Sequence, residues 1–136
     1  MKRMTKADFP SSLGAFKPVG HVVVVLPDDA GAQKAASAFV DAGFAADDVL
    51  LYSSEEVQKL VGDQLGDTSG GAGFGSEIQL MRQHHALASE GAAWVIVFAP
   101  EDEQTEKVAE VAKAHGAKLA TKYNRLMIED LITLET

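Results

Sequence analysis

The segment that decides the fold is 21-HVVVVLPDDAGAQKAASAFVDAGF-44. Its apolar run Val22–Leu26 predicts a strand covered on both faces, because a half-exposed strand would alternate apolar with polar residues. Pro27 has no N–H for a strand ladder and ends the strand. Asp28 or Asp29 then caps a helix with an apolar stripe of small residues, and Gly43 ends that helix.

The same pattern returns 73 positions later, where His21–Phe44 aligns with Trp94–Ala117 without a gap. The identical pairs are Val22/Val95, Val24/Val97, Pro27/Pro100, Asp29/Asp102, Lys34/Lys107, Ala36/Ala109 and Gly43/Gly116. The shared order is a strand, a Pro turn, an acidic first helical turn, a helix and a Gly stop. The sequence therefore predicts one strand–helix unit used twice.

These units organise the chain into an N-terminal arm at residues 1–18 and a single α/β domain at residues 19–136. The repeat units are residues 19–52 and 92–123, and each ends in a second strand. The strand that ends the second unit, Lys118–Tyr123, is expected at a sheet edge. A helical excursion at residues 53–91 joins them, with Ser53 and Glu56 at capping-box spacing. Leu126–Leu134 is apolar enough to pack, and its preferred interpretation is a short helix.

Two strand–helix–strand units favour a ferredoxin-like sandwich, in which the two repeat strands lie side by side at the sheet centre and both helices cover one face. The alternative is a small doubly wound parallel sheet, with the excursion helices on the second face. In the sandwich the other face is too apolar to stay exposed. Either the excursion or the same face of a second copy must cover it, and the latter predicts a homodimer.

Composition excludes several classes of protein. The chain has 136 residues with a formal net charge of −8, which argues against general nucleic-acid binding. No apolar run approaches the ~18–20 residues of a membrane span, and no apolar region follows the basic N-terminus, so we expect neither a membrane protein nor a signal peptide. The chain has no cysteine, which excludes disulfides and thiol catalysis and fits a cytoplasmic protein.

The Gly-rich loop at residues 70–76 is the first candidate binding site. Gly71, Gly73, Gly75 and Ser76 precede a predicted helix, and free amides at a helix start hold anions or phosphates. The loop follows a helix rather than a strand, and it lacks both the third glycine of the dinucleotide fingerprint and the Gly-Lys of a P-loop. The alternative interpretation is a connector between two helices.

His84 and His85 are candidate ligands of a metal or a haem. Neighbouring helical residues point about 100° apart, so the pair does not readily share one ion, and one half-buried and one solvated histidine is the structural alternative. His21 and His115, like the acidic pairs that include Asp28-Asp29 and Asp47-Asp48, lie at strand or helix ends. Capping and helix-dipole effects explain them.

Val22–Tyr52, with its Pro-Asp-Asp turn, Ala-Gly-Phe helix end and Asp-Asp-Val strand entry, resembles the opening of small bacterial general-stress or heat-induced proteins. Trp94–Ala117 resembles their second half. The resemblance covers about half the chain, implies a ferredoxin-like fold and a stress-related role, and supplies no catalytic residues.

The preferred functional hypothesis is therefore a non-enzymatic, cytoplasmic, homo-oligomeric domain with a stress-related or regulatory role. The first alternative is a module that binds a small anionic ligand or nucleotide at the Gly-rich loop. The second is a metal or haem protein that uses His84 or His85. The sequence identifies no particular cofactor.

Overall fold

The computed structural model describes residues 20–59, 86, 87, 89–123 and 128–132. The strands are β1 (His21–Leu26), β2 (Val49–Tyr52), β3 (Ala93–Phe98), β4 (Leu119–Tyr123) and β5 (Ile128–Ile132). The helix of each repeat unit follows its first strand, as α1 (Asp29–Asp41) and α2 (Asp102–Ala114). Residues 54–59 are also helical, and a 3₁₀ turn at Ala46–Asp48 leads into β2.

The five strands form one sheet in the order β2-β3-β1-β4-β5, and every neighbouring pair is antiparallel. The prediction of a mixed α/β domain is confirmed, and the alternative of a doubly wound parallel sheet is wrong. The two repeat strands, β1 and β3, are central neighbours, as the repeat predicts. Val23 lies directly opposite Ile96, its own equivalent 73 positions later. The approximate two-fold axis that relates the units therefore passes through this pair.

Both repeat helices pack on one face of the sheet, which we call the helix face. The buried residues Phe39 of α1 and Val108 of α2 contact Val22, Val24 and Val95 there. Alanines in both helices, Ala32, Ala35 and Ala112, are also fully buried and allow close approach to the sheet. Phe39 makes an edge contact with Phe44, with ring centroids 6.1 Å apart. Burying a side chain of this size stabilises the fold by roughly 1.5–3 kcal/mol.

The helix ends follow the predicted capping chemistry. Asp28 is the N-cap of α1, and its Oδ1 accepts from the Gly31 N–H at 2.6 Å. Glu101 and Gln104 form a capping box at the start of α2, and Ser53 and Glu56 form another at residues 53–56. Gly43 and Gly116 follow the two helices with φ of 113° and 72°, a left-handed conformation that favours glycine.

The opposite face of the sheet, the outer face, is closed within a single chain. Val23, Val25 and Ile96 are completely buried there, and Val57 and Leu87 from the excursion belong to the same cluster. Of the two predicted ways to cover this face, the structure therefore favours the excursion. A second copy of the chain is not needed to bury these side chains. The homodimer itself stays a prediction. The N-terminal arm at residues 1–18 lies outside the described residues.

Two expectations for the C-terminal part are wrong. Residues 128–132 of the predicted short helix form β5, because the free side of β4 offers backbone partners that outweigh the local pattern. For the same reason β4 is an internal strand rather than an edge strand. The β4–β5 register slips by one residue between Ala120 and Thr121, which accommodates an irregular strand.

We predict that Val23→Glu unfolds the isolated chain instead of separating two copies. Val23 is fully buried, and an ionised carboxylate at that position has no route to water. Circular dichroism should show loss of the cooperative thermal transition. Val40→Glu is the matched control, since Val40 is 42% exposed and the same change should leave the fold intact. A folded, monomeric Val23→Glu protein would contradict this interpretation of the outer face.

Candidate functional site

The most exposed apolar region in the described part of the chain lies along β2, the terminal strand of the sheet. Val49, Leu50 and Leu51 of β2 are half-buried, although they are aliphatic residues in a regular strand. Val40, on the neighbouring turn of α1, is the one large hydrophobic residue that is exposed among the described residues. We call Val40 together with Val49–Leu51 the β2 edge surface.

The β2 edge surface has a physical origin in the local sequence. Ala36 and Val40 of α1, with Ala46 and Val49 across from them, line an open groove between helix and strand. Small side chains at 36 and 46 leave this groove unfilled. No described strand pairs with the outer side of β2. Alternate backbone N–H and C=O groups on that side of Val49–Leu51 therefore face away from every described strand.

Acidic residues flank the β2 edge surface at both ends. Asp41 and Asp47 are exposed near its beginning, and Glu55 is exposed just after its end. Asp29, the other acidic residue of the α1 start, has a structural role, because its Oδ1 accepts from the Ser54 N–H at 2.8 Å. The predicted capping role of the acidic pairs is thus confirmed at Asp28 and extended to a contact between elements at Asp29.

A buried lysine lies on the helix face, on β4, which is separated from β2 by the two central strands. Lys122 of β4 is 2% exposed, and its Nζ donates to the Ala99 carbonyl oxygen at 2.5 Å and to Thr105 Oγ1 at 2.6 Å. Thr105 Oγ1 in turn lies 3.1 Å from the carbonyl oxygens of Ala99 and Glu101. In the β4–β5 register, the backbone of Lys122 is paired with that of Glu129. This polar cluster joins β4 to the beginning of α2.

Tyr52 titrates abnormally at the end of β2 on the outer face. Desolvation by burial, with a smaller contribution from the negative charge of Glu56, raises the pKa of Tyr52 from 10.0 to about 12. Its ring makes an edge contact with Trp94, with centroids 6.3 Å apart. Tyr52 is therefore neutral at physiological pH and is part of the outer-face core rather than a base.

The binding residues predicted from sequence lie outside the described residues. They are Gly71, Gly73, Gly75 and Ser76 of the Gly-rich loop, and the paired His84 and His85. Both hypotheses built on them remain predictions. The described residues contain no group of three or more His, Cys, Asp or Glu side chains that could hold a metal ion.

The remaining histidines are placed by the described structure. His21 begins β1, is 1% exposed and has its ring centroid 4.9 Å from that of Phe98. His115 is the exposed C-cap residue of α2 and borders a shallow groove along α1. The two rings belong to opposite ends of the repeat units, so they do not form a common site.

Sequence reasoning missed both Lys122 and the β2 edge surface. The alternation of polar and apolar residues in β4 predicts an edge strand, whereas all five of its residues are buried. The one sequence feature that could have indicated the burial of Lys122 is its position in the strand that ends the second repeat unit. The edge role of β2 follows from strand order and was implicit in the ferredoxin-like hypothesis.

Comparisons with known proteins leave the family open. No protein-family model matches the chain, and neither the curated proteins nor the solved structures gave a significant match. Within the described residues, no helix is both long and apolar enough to cross a membrane.

We predict that Lys122→Met destabilises the protein by about 1–3 kcal/mol, because the variant keeps the aliphatic stem and removes the donor to Thr105 and Ala99. Chemical denaturation would measure the change in unfolding free energy. Thr105→Val should also destabilise the protein, because it removes a member of the same polar cluster. The double variant should lose less unfolding free energy than the sum of the losses in the two single variants. Strict additivity would contradict a shared polar cluster.

We also predict that Tyr52 lowers stability at alkaline pH. The folded pKa of about 12 exceeds the unfolded value of 10.0, so this contribution is complete below pH 10 and is lost as the pH rises from 10 to 12. Solvent screens part of this effect, so the full loss is less than about 3 kcal/mol. The measurement is unfolding free energy against pH for wild type and Tyr52→Phe. The difference between the two proteins isolates Tyr52 from titrating lysines, and a difference that does not change above pH 10 would contradict the assignment.

Proposed function

We propose that this chain is a non-enzymatic cytoplasmic domain that acts by self-association, with two copies joined along β2. The observation that carries the proposal is the β2 edge surface, where a strand edge that pairs with no described strand lies beside the exposed Val40. Edge strands with apolar side chains and free backbone groups pair with further strands unless they are blocked. Val49–Tyr52 contains neither proline nor a charged residue that would block pairing.

The proposal includes a ferredoxin-like sandwich as the fold of the domain. The order β2-β3-β1-β4, with antiparallel neighbours and both repeat helices on one face, supports this assignment. β5 extends the sheet beyond β4, on the side away from β2. The two ends of the sheet are thus chemically different, and the aliphatic, short β2 is the end that suits a partner.

A second copy is the partner that suits β2 best. Two antiparallel β2 strands related by a two-fold axis perpendicular to the sheet would form a continuous ten-stranded sheet, twice the five strands of one chain. This symmetry keeps the α1 helices on the same face and brings the groove beside Val40 toward its symmetry mate. The interaction would bury the apolar surface of both copies at once.

The flanking acidic residues would oppose this association at low ionic strength. Each chain carries a formal net charge of −8, and Asp47 and Glu55 lie at the two ends of β2. Antiparallel pairing brings the acidic start of one β2 toward the acidic end of the other. Salt screens such exposed charges, so the dimer should be tighter at higher ionic strength.

We predict that Val40→Glu weakens dimerisation about tenfold or more, because it replaces buried apolar surface at the interface with a charge of the same sign as the acidic residues around it. Light scattering across a concentration series, supported by native mass spectrometry, measures the dissociation constant. Ala114→Glu is the matched control, as it introduces the same charge at an exposed helical position of α2. A wild-type chain that stays monomeric at all concentrations and salt levels, or a Val40→Glu dimer as tight as wild type, would overturn the proposal.

The stress-related role belongs to the same proposal and is supported by the resemblance of Val22–Tyr52 and Trp94–Ala117 to bacterial general-stress proteins. Ligand binding at the Gly-rich loop and metal or haem binding at His84 or His85 remain predictions from sequence. No contact in the described part of the chain favours either of them over self-association.

A further inference from the structure

The hydrogen-bond alternation of the sheet determines which backbone groups of β2 point toward its outer side. Along an antiparallel strand, successive residues direct their backbone groups alternately to one neighbouring strand and to the other. The Ala99 N–H donates to the carbonyl oxygen of Gly20, the residue before β1, at 3.0 Å. The odd-numbered residues of β3 therefore direct their backbone groups to β1, and the even-numbered residues, such as Ile96, direct theirs to β2.

Val49 and Leu51 are the residues of β2 whose backbone groups point to the outer side. Leu50 lies opposite Ile96 and faces β3, so residues 49 and 51 face the other way. The Val49 N–H is already used, because it donates to the Ala46 carbonyl oxygen in the 3₁₀ turn. The groups that have no partner among the described residues are the Leu51 N–H and the carbonyl oxygens of Val49 and Leu51. A further strand on this side would have to satisfy these groups.

The second repeat unit shows what kind of strand fits such an edge. Leu51 of β2 lies opposite Val95 of β3. Lys122 of β4 lies opposite Val22, which is the repeat equivalent of Val95. Leu51 and Lys122 therefore occupy equivalent positions, and the backbone of Lys122 is paired with that of Glu129 in the antiparallel strand β5. The equivalent edge of the other unit thus binds an antiparallel strand.

Ser53 follows β2 on the same edge, and its N–H is bound by a side chain. It donates to Glu56 Oε1 at 3.0 Å, while the Ser53 carbonyl oxygen accepts from the Val57 N–H at 2.9 Å. The bond to Val57 belongs to the helix at residues 54–59. The bond to Glu56 lies at the exposed surface, where a carbonyl oxygen of another strand can replace the carboxylate as the acceptor.

We propose that two copies pair with Leu51 of one β2 directly opposite Leu51 of the other, and that this pairing withdraws the Ser53 N–H from Glu56. The inference rests on the proposed self-association and specifies its register and its regulation. Each Leu51 N–H donates to the Leu51 carbonyl oxygen of the other copy, and each Ser53 N–H donates to the Val49 carbonyl oxygen of the other copy. The two groups that are already used, the Val49 N–H and the Ser53 carbonyl oxygen, face each other. Dimerisation and the helix cap then compete for one N–H, so a stronger cap weakens the dimer.

A register centred on Leu50 satisfies the edge less well. In that register Leu51 lies opposite Val49, and the Leu51 N–H donates to the Val49 carbonyl oxygen. The Leu51 carbonyl oxygen meets the Val49 N–H, which is bound to Ala46. This oxygen would lose water on association without gaining a donor, and that loss costs free energy. The hydrogen bonds therefore favour the register centred on Leu51.

Disulfide cross-linking measures the register directly, because the chain contains no cysteine. In the proposed register the two Leu51 Cα atoms lie about 5.5 Å apart, within the range of a disulfide. The two Leu50 Cα atoms are offset by two residues and lie about 8 Å apart, which is too far. Under mild oxidation Leu51→Cys should form a covalent dimer about tenfold faster than Leu50→Cys. Ala114→Cys, at an exposed helical position of α2, measures cross-linking by random collision.

Glu56 variants test the competition for the Ser53 N–H. Glu56→Ala removes the competing acceptor, whereas Glu56→Gln loses the same charge and keeps an acceptor oxygen. The Glu56→Ala dimer should be about fivefold tighter than the Glu56→Gln dimer, which is the effect of one net hydrogen bond. Light scattering across a concentration series measures both dissociation constants, and circular dichroism shows whether both variants are folded.

The outcomes distinguish this inference from the self-association on which it rests. A wild-type dimer in which Leu50→Cys cross-links faster than Leu51→Cys, or in which both react at the rate of Ala114→Cys, overturns the register alone. Equal dissociation constants for the two folded Glu56 variants contradict the competition. A wild-type chain that stays monomeric overturns both proposals. The cysteine comparison decides the register even if a Glu56 variant fails to fold.

Discussion

The antiparallel pairing of β1 with β3 is the constraint on which the rest of this structure depends. Both strands are apolar on both faces, so the pair is stable only when something covers each side. The repeat helices cover one side, and the chain between β2 and β3 contributes to covering the other through Val57 and Leu87. The approximate two-fold axis through Val23 and Ile96 explains why both helices lie on the same face.

The two units are not fully symmetric, and they differ at the second strand of each unit, β2 and β4. Leu50 lies beside Ile96 and Thr121 lies beside Val23, so these two residues are equivalent in the sheet. They are 71 positions apart rather than 73, because the first unit contains two more residues around the 3₁₀ turn at Ala46–Asp48. One unit thus ends in a strand that remains an edge, whereas the other ends in a strand that β5 covers and that carries a polar residue at the matching position.

The central architecture could be predicted from the sequence, because the strand, proline and glycine positions that set the backbone geometry occur twice. Val22–Leu26 and its copy predicted the central pair, and Gly43 and Gly116 marked helix ends that require a positive φ. β5 could not be predicted, because its conformation depends on the free side of β4 and not on its own pattern. Lys122 and Thr121 appeared to mark a solvated edge, since their burial follows from neighbours that are distant in sequence. The hypotheses built on glycine and histidine motifs fall on parts of the chain outside the described residues.

Lys122 has a mechanical consequence for the centre of the sheet. Its backbone pairs with β1 on one side, while its ammonium group is bound to the turn after β3, the strand on the opposite side of β1. β1 is therefore held between two neighbours that are also tied to each other across it. Detaching β1 requires both strand ladders and this cross-link to open together, so its amide protons should exchange only through global unfolding, whereas β2 and β5 can fray independently.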